Sequence, residues 1–226
     1  MSYGSSPDQI FSTMLGMFKG LLDHSASMYN TDRGERIPDS AKESYNGLAR
    51  KLEPITTKEL EVVFKDKDFS LLETKPLYLP YADDDQKVIP IIQGIEFDFA
   101  RETDNIKIKL ALCDYSKPEE YGCRCVCFRL EGPHPSNSKH NYYHLQVTAV
   151  EGALKEFVRD TQTEDLQEPI DWIPEHAPRI PLMAECPVTL LIALLLSLYG
   201  SKRIVKYVDL NRLDGKWPGL FNDIMS

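Results

Sequence analysis

The sequence lacks a long hydrophobic run and an excess of basic residues. Its longest apolar stretch, from Val188 to Tyr199, covers about a dozen residues, whereas a membrane-spanning helix needs about 20. Lys and Arg total 26 against 35 Asp and Glu, for a formal charge of −9. A charge of this sign opposes nonspecific attraction to phosphate backbones and anionic membranes. We therefore expect no membrane partner and no broad nucleic-acid-binding surface. Binding of nucleic acid to a local basic patch is an alternative that the net charge leaves open.

Evidence for disulfides and for secretion is also lacking. The five cysteines are an odd number in a chain long enough to fold without disulfide bonds. The first residues, MSYGSSPDQIF, show neither the basic start nor the apolar stretch of a secretory signal. Both observations favour a reducing compartment, and we expect a cytoplasmic protein.

Several enzyme signatures are missing as well. The sequence contains no GxGxxG or GxxxxGK[ST] phosphate-binding loop, no GxSxG nucleophile motif and no kinase signature. These absences argue against nucleotide-binding α/β enzymes and α/β-hydrolases. They leave open whether the protein is an enzyme of another kind.

Helical periodicity is found near both ends of the chain. Apolar residues recur at three- and four-residue spacing from Asp8, the expected cap, to near Tyr29, and again over 41–52. The apolar run further on is short enough for a buried helix, which Pro187 opens and Gly200 closes. A shorter helix is expected over 152–159.

The middle of the chain alternates between apolar and polar residues, as strands do. Alternation at Leu60, Val62 and Phe64 predicts the first strand, and 95–99 with 106–112 predict an antiparallel hairpin. Two more strands are expected over 121–130 and 142–150, and a short one from Ile204. The prediction is an α+β fold: an antiparallel sheet from about 58 to 150 with N-terminal helices and a buried C-terminal hydrophobic helix. We expect helices in 1–55 and a sheet domain in 56–226, packed as one unit.

Opposite charges face each other across the predicted hairpin. Glu96 and Asp98 alternate along one strand, and Lys107 and Lys109 along the next. The pattern predicts a solvated ladder of ion pairs. Two carboxylates and a lysine on neighbouring strands are also the raw material of a metal-dependent nuclease centre.

Three cysteines stand at every second position of a predicted strand. Cys123, Cys125 and Cys127 would then share one face, with successive side chains about 7 Å apart. Cysteine is commonly buried as a small hydrophobic residue, which favours a packing role. Two neighbours could share one zinc ion, so a metal or redox role stays open.

A second group of reactive residues lies between the last two predicted strands. It contains Arg129, His134, His140 and His144. In one interpretation the imidazoles act as acid and base while Arg129 or Lys139 stabilises a phosphate, which gives metal-independent RNA cleavage. In another, His140 and His144 bind a metal together with Cys123 and Cys125. In a third, His144 only bonds across the sheet.

Two tyrosines follow the same loop. Tyr142 and Tyr143 have the amphipathic character of residues that anchor a protein partner. They are equally suited to packing on a strand at the edge of the sheet.

Two stretches of the C-terminal half read FRLEGPHPSNSKHNYYHLQV and PRIPLMAECPVTLLIALLLSLYG. Together they resemble a pattern in bacterial proteins of unknown function, which are often associated with phage defence or mobile elements. The resemblance implies an accessory subunit of such a system. The matching positions are Arg129, His134, Pro135, His140, His144, Arg179, Ile180, Pro181 and Pro187.

The strand-loop-strand around the histidines also resembles small bacterial ribonuclease toxins, which have an arginine-bearing strand before a histidine-rich loop. This chain is longer and acidic, and its loop GPHPSNSKHN lacks an Asp-Asn pair typical of that group.

The function expected from the sequence is that of a cytoplasmic bacterial accessory or adaptor subunit that binds a protein or nucleic-acid partner, with an anti-phage assembly as one candidate setting. One alternative is a metal-independent ribonuclease, and a second is a zinc-stabilised binding module. No cofactor is predicted for the first two, and zinc is the cofactor of the third. The oligomeric state does not follow from the sequence.

Overall fold

The computed structural model describes residues 6–30, 39–81, 88–98, 105–133, 142–161, 179–182, 184 and 186–207. These residues form helices at both ends of the chain and a sheet between them, so the predicted α+β class is confirmed. The helices are α1 (Pro7–Asn30), α2 (Asp39–Ala49), α3 (Thr57–Asp66), α4 (Pro118–Tyr121), α5 (Gly152–Thr161) and α6 (Pro187–Tyr207). The strands are β1 (Leu77–Tyr78), β2 (Val88–Asp98), β3 (Asn105–Asp114), β4 (Arg124–Glu131), β5 (His144–Thr148) and β6 (Arg179–Pro181). A 3₁₀ turn covers Ser70–Glu73.

The six strands form one antiparallel sheet in which sequence order is also spatial order. The predicted hairpin is β2 and β3, where Ile95 lies opposite Ile108 and Phe97 opposite Ile106. The next two predicted strands are β4 and β5. The sheet starts at Leu77 rather than near residue 58, and β6 extends it beyond residue 150.

The segment predicted as the first strand is helix α3, and that prediction is wrong. Thr56 caps the helix: its side chain accepts a hydrogen bond from the Glu59 backbone N–H, and the Glu59 carboxylate accepts one from the Thr56 N–H. Leu60, Val63 and Phe64 are buried, which is the i, i+3, i+4 spacing of a helix. Val62 is 54% exposed. An apolar run this short fits either period, and the capping box decides between them.

The other helices follow the prediction more closely. Helices α1, α2 and α5 are confirmed, but Ser6, not Asp8, receives the hydrogen bond of the Gln9 backbone N–H at the start of α1. Helix α6 begins at Pro187, and Gly200, at φ 67° and ψ 168°, interrupts it.

The chain resumes helical geometry after Gly200 and runs to Tyr207, where a strand from Ile204 was predicted. Ile204 and Tyr207 are both buried, one helical turn apart. The Tyr207 ring packs edge-on against Tyr199, with ring centroids 5.0 Å apart. A strand would turn successive side chains to opposite sides and lose this joint burial.

Each face of the sheet carries its own core. The larger core lies between one face and helices α1, α3 and α6, and it includes Ile108 and Leu130 of the sheet. The predicted burial of the C-terminal helix is confirmed, since Leu191 and Leu195 are completely buried in this core. The smaller core lies on the opposite face under α2 and α5.

Among the described helices, none has both the length and the apolar composition required to cross a bilayer.

The predicted pairing of Glu96 with the two lysines of the hairpin is confirmed, whereas Asp98 lies opposite Asn105 rather than a lysine. Glu96 lies opposite Lys107, with 2.8 Å between Oε2 and Nζ. Lys109 lies 3.7 Å from Glu96 and 2.5 Å from Glu151. The ladder therefore extends from the hairpin to the residue that precedes α5.

Candidate functional site

Three cysteine thiols converge at one end of strands β3 and β4. Cys113 of β3 lies directly opposite Cys125 of β4, and Cys123 directly precedes β4. The Sγ atoms of Cys113 and Cys125 are 2.7 Å apart, and those of Cys123 and Cys125 are 3.6 Å apart. All three Sγ atoms lie within 4.8 Å of one another. We call these residues the cysteine cluster.

Strand alternation, one turn and the end of a helix bring the cluster together. Alternation turns Cys113 and Cys125 to the face of the sheet that carries the smaller core. Gly122, at φ 66°, allows the turn from α4 into Cys123. The Cys123 backbone N–H then donates a hydrogen bond to Oγ1 of Thr161 at the end of α5, at 3.1 Å. The cluster is therefore held by two strands and a helix end.

Burial of the three thiols is uneven. Cys113 and Cys123 are buried, whereas Cys125 is half-buried. Hydrogen bonds from the Cys113 and Cys125 thiols lower the pKa of the Cys123 thiol, while burial raises the pKa of the other two. Cys123 is consequently the first of the three to ionise.

The arrangement fits a soft metal ion that binds thiolates. Zinc–sulfur bonds of about 2.3 Å place two thiolates of a tetrahedral site about 3.8 Å apart. The separation between Cys123 and Cys125 is close to this value, and that between Cys113 and Cys125 is shorter. Within the described ranges, Cys113, Cys123 and Cys125 are the one group of three or more His, Cys, Asp or Glu side chains whose ligand atoms lie close enough together to bind the same metal ion.

Cys127 lies outside the cluster, although the sequence places it with Cys123 and Cys125. It faces the same side of β4, and its Sγ accepts a hydrogen bond from Nε2 of Gln93 at 3.7 Å. Burial raises the pKa of the Cys127 thiol to about 12. Gln93 reaches this sulfur from the irregularity in β2 between Ile92 and Gly94.

The sequence did not reveal Cys113 as a member of the cluster. Cys113 directly follows the predicted hairpin strand over 106–112, and β3 extends to include it. Only the register between β3 and β4 brings it opposite Cys125, and the connection between these strands carries no turn signature that would fix the register.

The histidine group forms a second polar cluster, farther along β4 and β5. Glu131 lies opposite His144, and its Oε2 is 3.2 Å from the His144 Nε2. The other ring nitrogen of His144 is 3.2 Å from the carbonyl oxygen of Tyr142. Arg129 forms an ion pair with the same carboxylate, with 2.7 Å between its Nε and the Glu131 Oε1. Glu131, to which the sequence gave no role, thus joins the two predicted site residues.

This geometry fits the interpretation in which His144 bonds across the sheet. Its side chain is only 1% exposed, and its two ring nitrogens each lie 3.2 Å from an oxygen atom, of Glu131 and of Tyr142. A ring this buried has little surface to offer a substrate. His134 and His140 lie outside the described residues, so their predicted roles stay predictions.

His144 is also far from the cysteine cluster. It lies opposite Glu131, six residues along β4 from Cys125, which at strand rise is roughly 20 Å. The predicted metal site that combines His144 with Cys123 and Cys125 is therefore wrong.

Of the two tyrosines predicted to contact a partner, only Tyr142 is on the surface. It is 38% exposed, and its ring packs edge-on against His144, with centroids 5.6 Å apart. Tyr143 is 5% exposed and belongs to the larger core. Tyr143 therefore offers no surface to a partner, because strand alternation turns it inward.

An apolar strip continues the larger core onto open sheet surface. Val126, Val147 and Ile180 are 52%, 39% and 54% exposed. They lie on neighbouring strands and on the face that carries the larger core, next to the half-buried Phe128 and Leu145. We call the three exposed residues the apolar strip. The sequence analysis did not identify it, because these residues alternate like any strand residues.

Comparisons of this chain with protein-family models, with curated proteins and with solved structures find no match.

Proposed function

We propose that the protein is a zinc-stabilised binding module that acts as an accessory subunit. The observation that carries the proposal is the convergence of Cys113, Cys123 and Cys125 within 4.8 Å. Thiolates are the ligands that zinc favours in structural sites, and their spacing here approaches that of a tetrahedral site.

Zinc would act on the fold rather than on a substrate. Its ligands would come from β3, from β4 and from the segment that follows Gly122, so one ion would link three parts of the chain. Metal that binds only the folded chain stabilises it by its binding free energy. The three thiolates fill three tetrahedral positions, and the fourth is taken by a ligand from outside the cluster.

The binding role concerns a protein partner rather than nucleic acid. The apolar strip of Val126, Val147 and Ile180 carries no charge, whereas contacts to phosphate need cations. The net charge of −9 opposes nucleic acid further. We propose a partner that presents apolar side chains to this strip. A place in a bacterial defence assembly rests on the sequence resemblance alone, and a cytoplasmic location rests on the cysteine count and the first residues of the sequence.

The ribonuclease alternative receives no support from the described geometry. Its acid–base chemistry needs an imidazole within reach of a substrate. The His144 ring is buried, and its nitrogens face Glu131 and Tyr142.

The zinc proposal is tested by metal analysis of the reduced full-length protein. We expect one zinc per chain and, after exchange for cobalt, the strong charge-transfer absorption of thiolate ligands. Cys123→Ser and Cys125→Ser should lower zinc affinity strongly, whereas Cys186→Ser should not, because Cys186 is buried in the larger core. Reduced protein that retains no zinc, or retains it equally in a variant without the cluster, would overturn the proposal.

The partner proposal needs its own comparison. Val147→Lys places a charge in the apolar strip, and Val62→Lys places one at a similarly exposed valine on α3. Protein captured from the native cell extract should be lost with the first variant and kept with the second. Equal capture by both variants, or strip-dependent binding of labelled RNA instead, would contradict a protein partner.

A further inference from the structure

The Sγ atoms of Cys113 and Cys125 lie 2.7 Å apart in the cluster. We propose that they are a reversible redox pair, which closes a cross-strand disulfide and thereby controls metal binding at the cluster. The disulfide itself does not depend on zinc. Only its effect on metal binding rests on the proposed function.

Register is the first argument for this pair. Cys113 and Cys125 lie directly opposite each other in an antiparallel pair. Such partners have Cα atoms about 4.5–5.5 Å apart, inside the range of about 4.4–6.8 Å that disulfides require. The two side chains also point to the same face of the sheet. No movement of either strand is needed to join them.

Sulfur separation is the second argument. The 2.7 Å between the Cys113 and Cys125 sulfurs is closer to a disulfide bond of about 2.05 Å than to a tetrahedral zinc edge of about 3.8 Å. The 3.6 Å between Cys123 and Cys125 is closer to the zinc edge. The same cluster is thus near the geometry of both states, and the two states use the Cys113 and Cys125 sulfurs in mutually exclusive ways.

Chain geometry disfavours the other pairing of Cys125. Cys123 is only two residues away, and two residues along an extended chain place Cα atoms roughly 6.6 Å apart with parallel Cβ directions. That spacing is at the upper limit for a disulfide. Cys113 is therefore the partner of Cys125, and Cys123 keeps a free thiol.

Access determines the order of the steps. Cys125 is the half-buried member of the cluster, so a small oxidant meets it first. With a low-molecular-weight disulfide of the glutathione type, the Cys125 thiol, once deprotonated, attacks one sulfur, forms a mixed disulfide and releases one thiolate, because access rather than acidity selects Cys125 over the buried Cys123. The Cys113 thiolate then attacks the Cys125 sulfur, closes the disulfide and releases the second thiolate. Two protein thiols lose two protons and two electrons, and the oxidant becomes two small thiols.

The consequence concerns the metal. Disulfide formation removes two of the three thiolates from the cluster, and one thiolate does not hold zinc. Oxidation therefore releases zinc, and zinc in turn protects the pair from oxidation, because bound thiolates are not free to attack.

The test uses reduced, metal-free, full-length protein in a series of glutathione redox buffers, followed by peptide mapping without reduction. We expect one linkage, between the peptides of Cys113 and Cys125. It should be absent in Cys125→Ser and retained in Cys123→Ser and Cys186→Ser, with circular dichroism confirming that each variant is folded. Thiols that stay reduced in every buffer, a stable mixed disulfide, or a linkage between Cys123 and Cys125 would overturn the redox pair.

A second measurement separates this inference from the proposed function. Zinc-loaded protein is oxidised, and released zinc is followed with a chromogenic chelator. Release in step with the disulfide supports the metal control, and zinc retained after the disulfide has closed overturns it. Protein that forms the disulfide but never binds zinc supports the redox pair and overturns the zinc-stabilised module.

Discussion

Glu131 and His144 face each other across β4 and β5, with 3.2 Å between the carboxylate Oε2 and the imidazole Nε2. Arg129 holds the other carboxylate oxygen at 2.7 Å. The three side chains form a partly buried ionic group in the sheet. Such groups contribute to stability only while all partners are present, because loss of one leaves another unpaired.

His144→Ala is therefore expected to destabilise the fold. Removal of the buried ring leaves Glu131 without one of its partners, and we expect a loss of roughly 1–3 kcal/mol in the free energy of unfolding. Urea denaturation measures it. Tyr142→Ala, at an exposed neighbour, should change stability much less. An unchanged unfolding free energy in His144→Ala would contradict a structural role and reopen a role in chemistry.

Substitutions in α3 distinguish a helix from the strand that the sequence predicts. Val62→Lys should change the unfolding free energy by less than about 0.5 kcal/mol, because Val62 is largely exposed. Val63→Lys should cost several kcal/mol or prevent folding, since it buries an unpaired charge in the larger core. In a strand, Val62 would point inward with Leu60, so Val62→Lys rather than Val63→Lys would be the more destabilising substitution.

The capping box of α3 makes stability depend on pH. Hydrogen bonds from the Thr56 backbone N–H, from Lys75 and from the Thr56 hydroxyl lower the pKa of Glu59 to about 2 in the folded protein. The ordinary glutamate pKa of 4.5, which applies in the unfolded chain, is higher, so ionised Glu59 favours the folded state. The contribution is present above the ordinary glutamate pKa and is lost as the pH falls through the folded-state pKa.

Comparison with Glu59→Gln isolates this effect. The wild-type protein should exceed the variant in stability at neutral pH, and the difference should shrink as acid protonates Glu59. Denaturant unfolding across the acid range measures it. A difference that stays constant with pH would rule out the depressed pKa.

Two glycines of α1 provide a matched pair. A Cβ at Gly20 would lie 2.5 Å from the carbonyl oxygen of Tyr207, whereas one at Gly16 would meet nothing within 4 Å. Gly16→Ala should stabilise the protein by about 0.5–1 kcal/mol through helix propensity. Gly20→Ala should instead cost about 1–3 kcal/mol, because α1 and α6 must separate. Thermal unfolding of both variants checks the contact, and equal gains would exclude the close approach.

The sequence predicts best what depends on local periodicity. The long apolar stripe of α1 and the alternation over 95–99 and 106–112 each gave the correct element, and the structure extends the two strands to ten or more residues. The apolar run of α3 is too short for its period to decide between a helix and a strand. The Thr56 and Glu59 capping box, which is visible in the sequence, was the better signal.

The candidate site was only partly predictable, since it depends on contacts between strands. The spacing of Cys123 and Cys125 was visible, but the register that adds Cys113 is a long-range property. The burial of His144 could not be predicted from the sequence either. A histidine beside a polar loop resembles a site residue, yet the position of His144 in the sheet buries it. Among the described residues, the candidate site is therefore the cysteine cluster and not His144.

The contact between Gly20 and Tyr207 has a consequence for synthesis of the chain. It joins helices separated by nearly the whole sequence, so α1 leaves the ribosome long before α6 exists. Until then part of the apolar face of α1 stays open to solvent, because α1 and α6 pack in the same core. Contacts this distant slow folding and leave nascent chains prone to aggregate. We expect the growing polypeptide to need chaperone protection until α6 emerges.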